Sequence, residues 1–237
     1  PQSTRHTRRL LFTLPIRALQ GLTAAAGFAA FVLLLIQGRR GYEILQAGRS
    51  YVLGFLLLLA LNTVTLSLHE YTHGLATIHQ GCEVRRGGFL FYLGLPALFV
   101  DTTDTWMVGK NGRIAVAAAG PWNDLVLGGL CALLSLPHWS GGPLLLKIAT
   151  LAYVSALFNL SPLLELDGYF ILSDSLDMPF LRRDALAFVG RGLWERIRRR
   201  RRFSPQERLY TTYGILALVY LAVVACLVAL FWHTQVT

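Results

Sequence analysis

Cysteine is scarce. Cys82, Cys131 and Cys226 are the only three, odd in number and far apart, which fits neither a disulfide framework nor a cysteine-built zinc knuckle. Charge is scarce as well: 15 % of the 237 residues are Asp, Glu, Lys or Arg, where a soluble domain carries about a quarter. That shortage leaves no room for an ordinary soluble domain. Lysine is almost missing, with Lys110 and Lys147 set against twenty arginines. No internal repeat is present, and Arg198–Arg202 is the one low-complexity tract. The missing repeat disfavours a transporter built from two mirrored halves.

What the chain has instead is hydrocarbon. Hydrophobic residues make up 54 % of it, which predicts an all-α integral membrane protein forming a single membrane domain over residues 1–237. Five spans are expected, at about Leu19–Ile36, Tyr51–His73, Ile114–Leu136, Leu144–Leu166 and Leu209–Trp232. The basic residues before Leu19 extend too far to resemble a cleaved signal. Small residues in the first span (Gly21, Ala24–Ala26, Gly27, Ala29, Ala30) suit close packing against another helix. Between the second and third spans, residues 89–100 are apolar but interrupted by Gly94 and Pro96. That segment is too short to cross as one helix. It reads as short strands or a re-entrant hairpin at the membrane surface, or as a hydrophobic loop over the helices.

At the end of the second apolar run stands Ser67-Leu68-His69-Glu70-Tyr71-Thr72-His73-Gly74. Residues i and i+4 of a helix share a face, so His69 and His73 can both reach one metal ion. Glu70 projects about 100° away, placed to move the proton of an activated water without being a ligand. Chance is a weak rival: the frequencies of His and Glu give such a match in about 0.4 % of chains of this composition. Cys82, nine residues beyond His73, reads as a loop thiol more than as a ligand.

Charge orients the chain. With the N-terminus in the cytoplasm, eighteen of the 22 Lys and Arg fall on cytoplasmic segments. The other four, Arg39, Arg40, Arg49 and Lys147, fall outside, a clear positive-inside bias. The C-terminus is then external. On this map the second and fourth spans both descend to the cytoplasm, one ending at His69–His73 and the other at Asp167. A carboxylate there is a natural third zinc ligand, leaving the fourth position open as catalytic sites do. Glu165 is the competing acid, on another side of the helix. Asn123, Asp124 and Asn159 are polar residues inside apolar spans, positions that face a cavity or a partner helix. They are expected to line a wet path from the cytoplasm, or to bond helix to helix.

Three blocks together resemble the site-2 protease family of intramembrane zinc metalloproteases, and within it the compact bacterial peptide zinc metalloproteases. They are His69-Glu70-Tyr71-Thr72-His73-Gly74, then Ala119-Gly120-Pro121-Trp122-Asn123, then Asn159-Leu160-Ser161-Pro162-Leu163-Leu164-Glu165-Leu166-Asp167-Gly168. The second departs from the family's Gly-Pro-x-x-Asn, because Asn follows Pro after one residue and Asp124 takes the expected place of Asn. The resemblance covers about residues 50–175, followed by a basic segment to residue 208 and the last span at 209–232. It implies His69, His73 and Asp167 as zinc ligands and Glu70 as catalytic acid/base. It also implies Asn159 and Asn123 as groups that hold substrate backbone or the oxyanion. The implied setting is a bacterial cytoplasmic membrane.

Three functions follow as expectations. The first is a zinc peptidase cutting a transmembrane or membrane-associated peptide. The second is a non-catalytic subunit that keeps the fold within a larger membrane complex. The third, a metal or ion transporter, is disfavoured because the ligands gather at one face and no second half mirrors the first. No PDZ-like insert separates the metal blocks, so substrate selection falls to residues 89–100, to helix gating or to a partner. The basic 180–203 stretch suits an anionic lipid leaflet. No nucleic-acid partner is expected, since no recognition fold surrounds the arginine run.

Overall fold

The computed structural model of the chain describes residues 13–37, 46–92, 95–137, 139–199 and 202–236. Arg5, Arg8, Arg9, Arg39, Arg40, Gly94, Arg200, Arg201 and the side chain of Trp232 lie outside the described parts. Among the described residues, five helices are long and apolar enough to cross a membrane: α1 (Leu14–Ile36), α2 (Tyr51–His79), α3 (Lys110–Leu134), α4 (Gly142–Asn159) and Pro205–Leu227 of the last helix. Leu22, Phe28, Phe55, Leu56 and Val64 on α1 and α2 stand exposed, as do Leu216, Val219 and Val223 on the last helix. Such a surface suits hydrocarbon and not water.

Two helix ends differ from the sequence expectation. α2 does not stop at His73; it continues to His79 and ends in a Schellman motif. Gly81 takes φ +86°, its N–H bonds the Ile78 carbonyl, and the Cys82 N–H bonds the Thr77 carbonyl. Glycine adopts this left-handed turn without a Cβ clash. At 29 residues the helix rises about 44 Å, so the His-Glu-x-x-His motif lies within it and not at its tip. Thr63, Ser67, Thr72 and Thr77 donate their hydroxyls to the carbonyls four residues earlier, which satisfies them inside an apolar helix.

The second difference concerns α4, which ends at Asn159 and not near Leu166. Pro162 lacks an N–H and forces Ser161 out of the helical region, so the helix cannot continue. Asp167 therefore stands not at the end of a span but at the first residue of a separate helix, α5 (Asp167–Ser175).

The residues between α2 and α3 form an antiparallel hairpin, β1 (Gly87–Tyr92) and β2 (Leu95–Val100), with Gly87 opposite Val100 and Tyr92 opposite Leu95. A 3-10 turn at Thr103–Met107 leads into α3.

The chain forms two compact units, Pro1–Leu160 and Ser161–Thr237. In the first, α3 packs against α1, α2 and α4, and β2 packs on α2. Its core joins Phe31, Leu34, Cys131, Ala132, Leu146, Ala149 and Tyr153. The small residues of α1 serve the expected purpose at Gly27. A Cβ there would fall 2.1 Å from the Gly129 Cα, so α1 and α3 meet backbone to backbone. Lys147, buried on α4, donates to the Gln46 carbonyl at 3.0 Å.

The second unit holds α5, α6 (Leu181–Ala187), a π-helical turn at Phe188–Gly192, α7 (Leu193–Arg198) and α8 (Pro205–Val236). Tyr169, Leu181, Ala185, Tyr213 and Ala217 make its core. Trp194 and Ile197 are exposed on α7.

Candidate metal centre

α2 and α3 set two histidines of the one against three residues of the other. On α3, Val116, Gly120 and Asp124 are spaced by four and share one face. On α2, His73 lies toward Val116 and His69 toward Asp124. The His73 Nδ1–H donates to the Val116 carbonyl at 2.8 Å, which fixes the tautomer because a carbonyl can only accept. The His69 Nδ1–H donates to Asp124 Oδ2, also at 2.8 Å. Both imidazoles are buried, His69 3 % and His73 7 % exposed, and Asp124 is fully buried.

With each Nδ1 engaged, the two Nε2 atoms face one another 3.1 Å apart, a separation that a shared proton or a metal ion bridges. Engagement of the second nitrogen by a carboxylate or a carbonyl is the pattern that orients metal-bound histidines. Two zinc–nitrogen bonds of about 2.0–2.1 Å near the tetrahedral angle set their nitrogens about 3.3–3.4 Å apart. The pair therefore fits zinc. Gly120 keeps the space open: a Cβ there would fall 2.3 Å from His73 Nε2 and 2.5 Å from His69 Nε2.

Asp124 Oδ2 takes a second hydrogen bond, from the Ser155 hydroxyl of α4 at 2.7 Å. Ser155 Oγ in turn accepts from Asn159 Nδ2 at 3.2 Å. Asn159 is thus tied to His69 through two intermediaries. Asn123 stands outside this set; its buried Nδ2 has no hydrogen-bond partner. Glu70 follows His69 on α2 and is half-buried. Asp124 departs from the expected wet path: it is sealed between helices and ties α3 to α2 and α4.

Asp167 belongs to the second unit and is half-buried at the start of α5, where the helix dipole favours a carboxylate. The loop leading to it is held from two sides. Tyr213 of α8 donates its hydroxyl to the Pro162 carbonyl at 2.9 Å. The Arg182 guanidinium donates to the Leu163 carbonyl and lies 3.8 Å from Glu165. Glu165 is largely exposed and engaged by that arginine. Cys82 points its thiol at the Asp104 carbonyl, 3.5 Å away.

The sequence singles out the histidines and the asparagines and marks Asp124 only as a group lining a wet path or bonding helix to helix; Ser155 goes unmarked. The signal for both is spacing: Asp124 is four residues beyond Gly120, and Ser155 four before Asn159. Each therefore shares a helical face with a residue already marked.

Comparison with known proteins adds little to this geometry. No protein-family model and no solved structure matches the chain. A 66-residue stretch is 36 % identical to the Uncharacterized protein MJ0971 of Methanocaldococcus jannaschii, over 27 % of this chain and 18 % of that protein. The match thus spans under a fifth of that relative's length.

Proposed function

We propose that the protein is a membrane-embedded zinc metallopeptidase of the site-2 protease type, hydrolysing a transmembrane or membrane-associated peptide. The observation that carries this reading is the pair of buried imidazoles on α2, with Nε2 atoms facing one another 3.1 Å apart and each Nδ1 already spent as a donor. His69 and His73 hold the zinc, and Asp167 is the third ligand. The Leu-Asp-Gly block supports that choice, and eight residues of chain after Asn159 reach at most about 28 Å.

Zinc supplies Lewis acidity, making water acidic near neutral pH and polarising a peptide carbonyl. Glu70 accepts the proton of the attacking water on a carboxylate oxygen and delivers it to the nitrogen of the leaving amine. Asn159 spends one amide hydrogen on Ser155, which leaves the other to hold the scissile carbonyl oxygen. Asn123 offers a second buried amide donor. The N-terminus and residues 182–208 face the cytoplasm and the C-terminus faces outward. The arginine distribution supports this, and exclusive external labelling of a cysteine placed at Ser204 would reverse it.

Glu70→Gln tests the chemistry. In purified full-length protein it keeps its zinc and loses at least 100-fold of its hydrolysis of a quenched fluorescent peptide bearing an apolar helix. Undiminished cleavage would refute Glu70 as the acid/base.

A further inference from the structure

We infer that Asp124 is the positioning residue of this site, acting through His69, and that Ser155 makes it a shared anchor for Asn159. The inference rests on the metallopeptidase reading above.

The hydrogen bonds run in one direction. The single Ser155 proton goes to Asp124 Oδ2, so Ser155 can only accept from Asn159, and Asn159 must turn Nδ2 and not its oxygen toward it. The His69 Nδ1–H also ends on Oδ2. One carboxylate oxygen therefore fixes the tautomer and ring plane of a metal ligand together with the amide orientation of a substrate-facing asparagine. These groups come from α2, α3 and α4.

A purely structural link between helices does not require a charge. A buried carboxylate is costly without a compensating cation, and Asp124 is fully buried with Oδ1 lacking any hydrogen-bond partner. An amide accepts the same two bonds without that cost, and the family's spacing puts an asparagine at this position. Among the described residues, no lysine or arginine is hydrogen-bonded or ion-paired to Asp124; the group it faces is the His69 imidazole. A carboxylate on the far nitrogen of a ligating histidine orients that ring toward its metal.

The test is zinc affinity of the full chain in detergent or nanodiscs, measured against a chromophoric chelator, with the cobalt(II) absorption spectrum as second readout. Asp124→Asn keeps the hydrogen bonds and removes the charge. It is expected to melt like the wild type, bind zinc about tenfold more weakly and shift the cobalt bands. Asp124→Ala is expected to lose about 100-fold. Ser155→Ala, which removes one of the two donors to Oδ2, is expected to weaken zinc several-fold. If Asp124→Ala does not fold, the Asn and Ser155 variants carry the result.

Zinc affinity within twofold of wild type and an unshifted cobalt spectrum in Asp124→Asn and Ser155→Ala overturn the inference. If those variants are unchanged while His69→Ala loses zinc, the metal site stands and only Asp124's role falls. If the wild type binds no zinc, both fall.

Discussion

Gly120 has no room for a side chain. Its Cβ would sit 2.3 Å and 2.5 Å from the two Nε2 atoms, in the space a metal ion needs. Alanine is a better helix former than glycine by about 1 kcal/mol, which keeps α3 helical, but a Cβ that close forces the two buried imidazoles to shift. We expect this variant, Gly120→Ala, to melt below wild type and to bind zinc at least tenfold more weakly by chelator competition. Wild-type zinc affinity in Gly120→Ala would mean that the space between the histidines is not the metal position. His69 and Asp124 are 55 residues apart in the chain. Each was visible alone as a polar group in an apolar run. Their pairing was not, because it depends on which helices pack and on their rotation.

At the scale of elements, the helix ends were the least legible feature. Hydropathy reads side chains, and Leu160, Leu163, Leu164 and Leu166 carry the apolar signal past the point where Pro162 breaks the backbone. The break matters because it turns Asp167 from a helix end into the start of α5, reached through a loop that must be held in place. The signal for α2's true end was also local: Gly81 is the C-terminal glycine of that helix, and Gly74 is an interior glycine. Arg182, from the basic stretch read as setting topology and suiting an anionic leaflet, and Tyr213, from the last span, hold the 161–166 loop. Tyr213→Phe removes one hydrogen bond, worth about 0.5–1.5 kcal/mol. Arg182→Ala removes more. We expect hydrogen exchange across residues 161–170 to quicken in Tyr213→Phe and further in Arg182→Ala, with little change in α1–α4. Unchanged exchange in that loop in both variants would remove their bracing role.

Over the whole molecule, composition alone conveyed the class: five apolar runs became five helices long enough to cross a membrane. The hairpin at 87–100 was one of two readings of its turn residues, and the ladder from Gly87 to Tyr92 decides between them. The two histidines were legible because the i, i+4 rule is local to one helix. Asp124's share in the site was hidden because it is assembled from three helices. The central claim is that a zinc ion belongs between His69 and His73. The direct measurement is elemental analysis of the purified full chain, washed free of loosely held metal, beside His69→Ala and His73→Ala. The account predicts one zinc per wild-type chain and loss of it in either variant. Absence of zinc from wild type after zinc is supplied, or its retention in either variant, would contradict it.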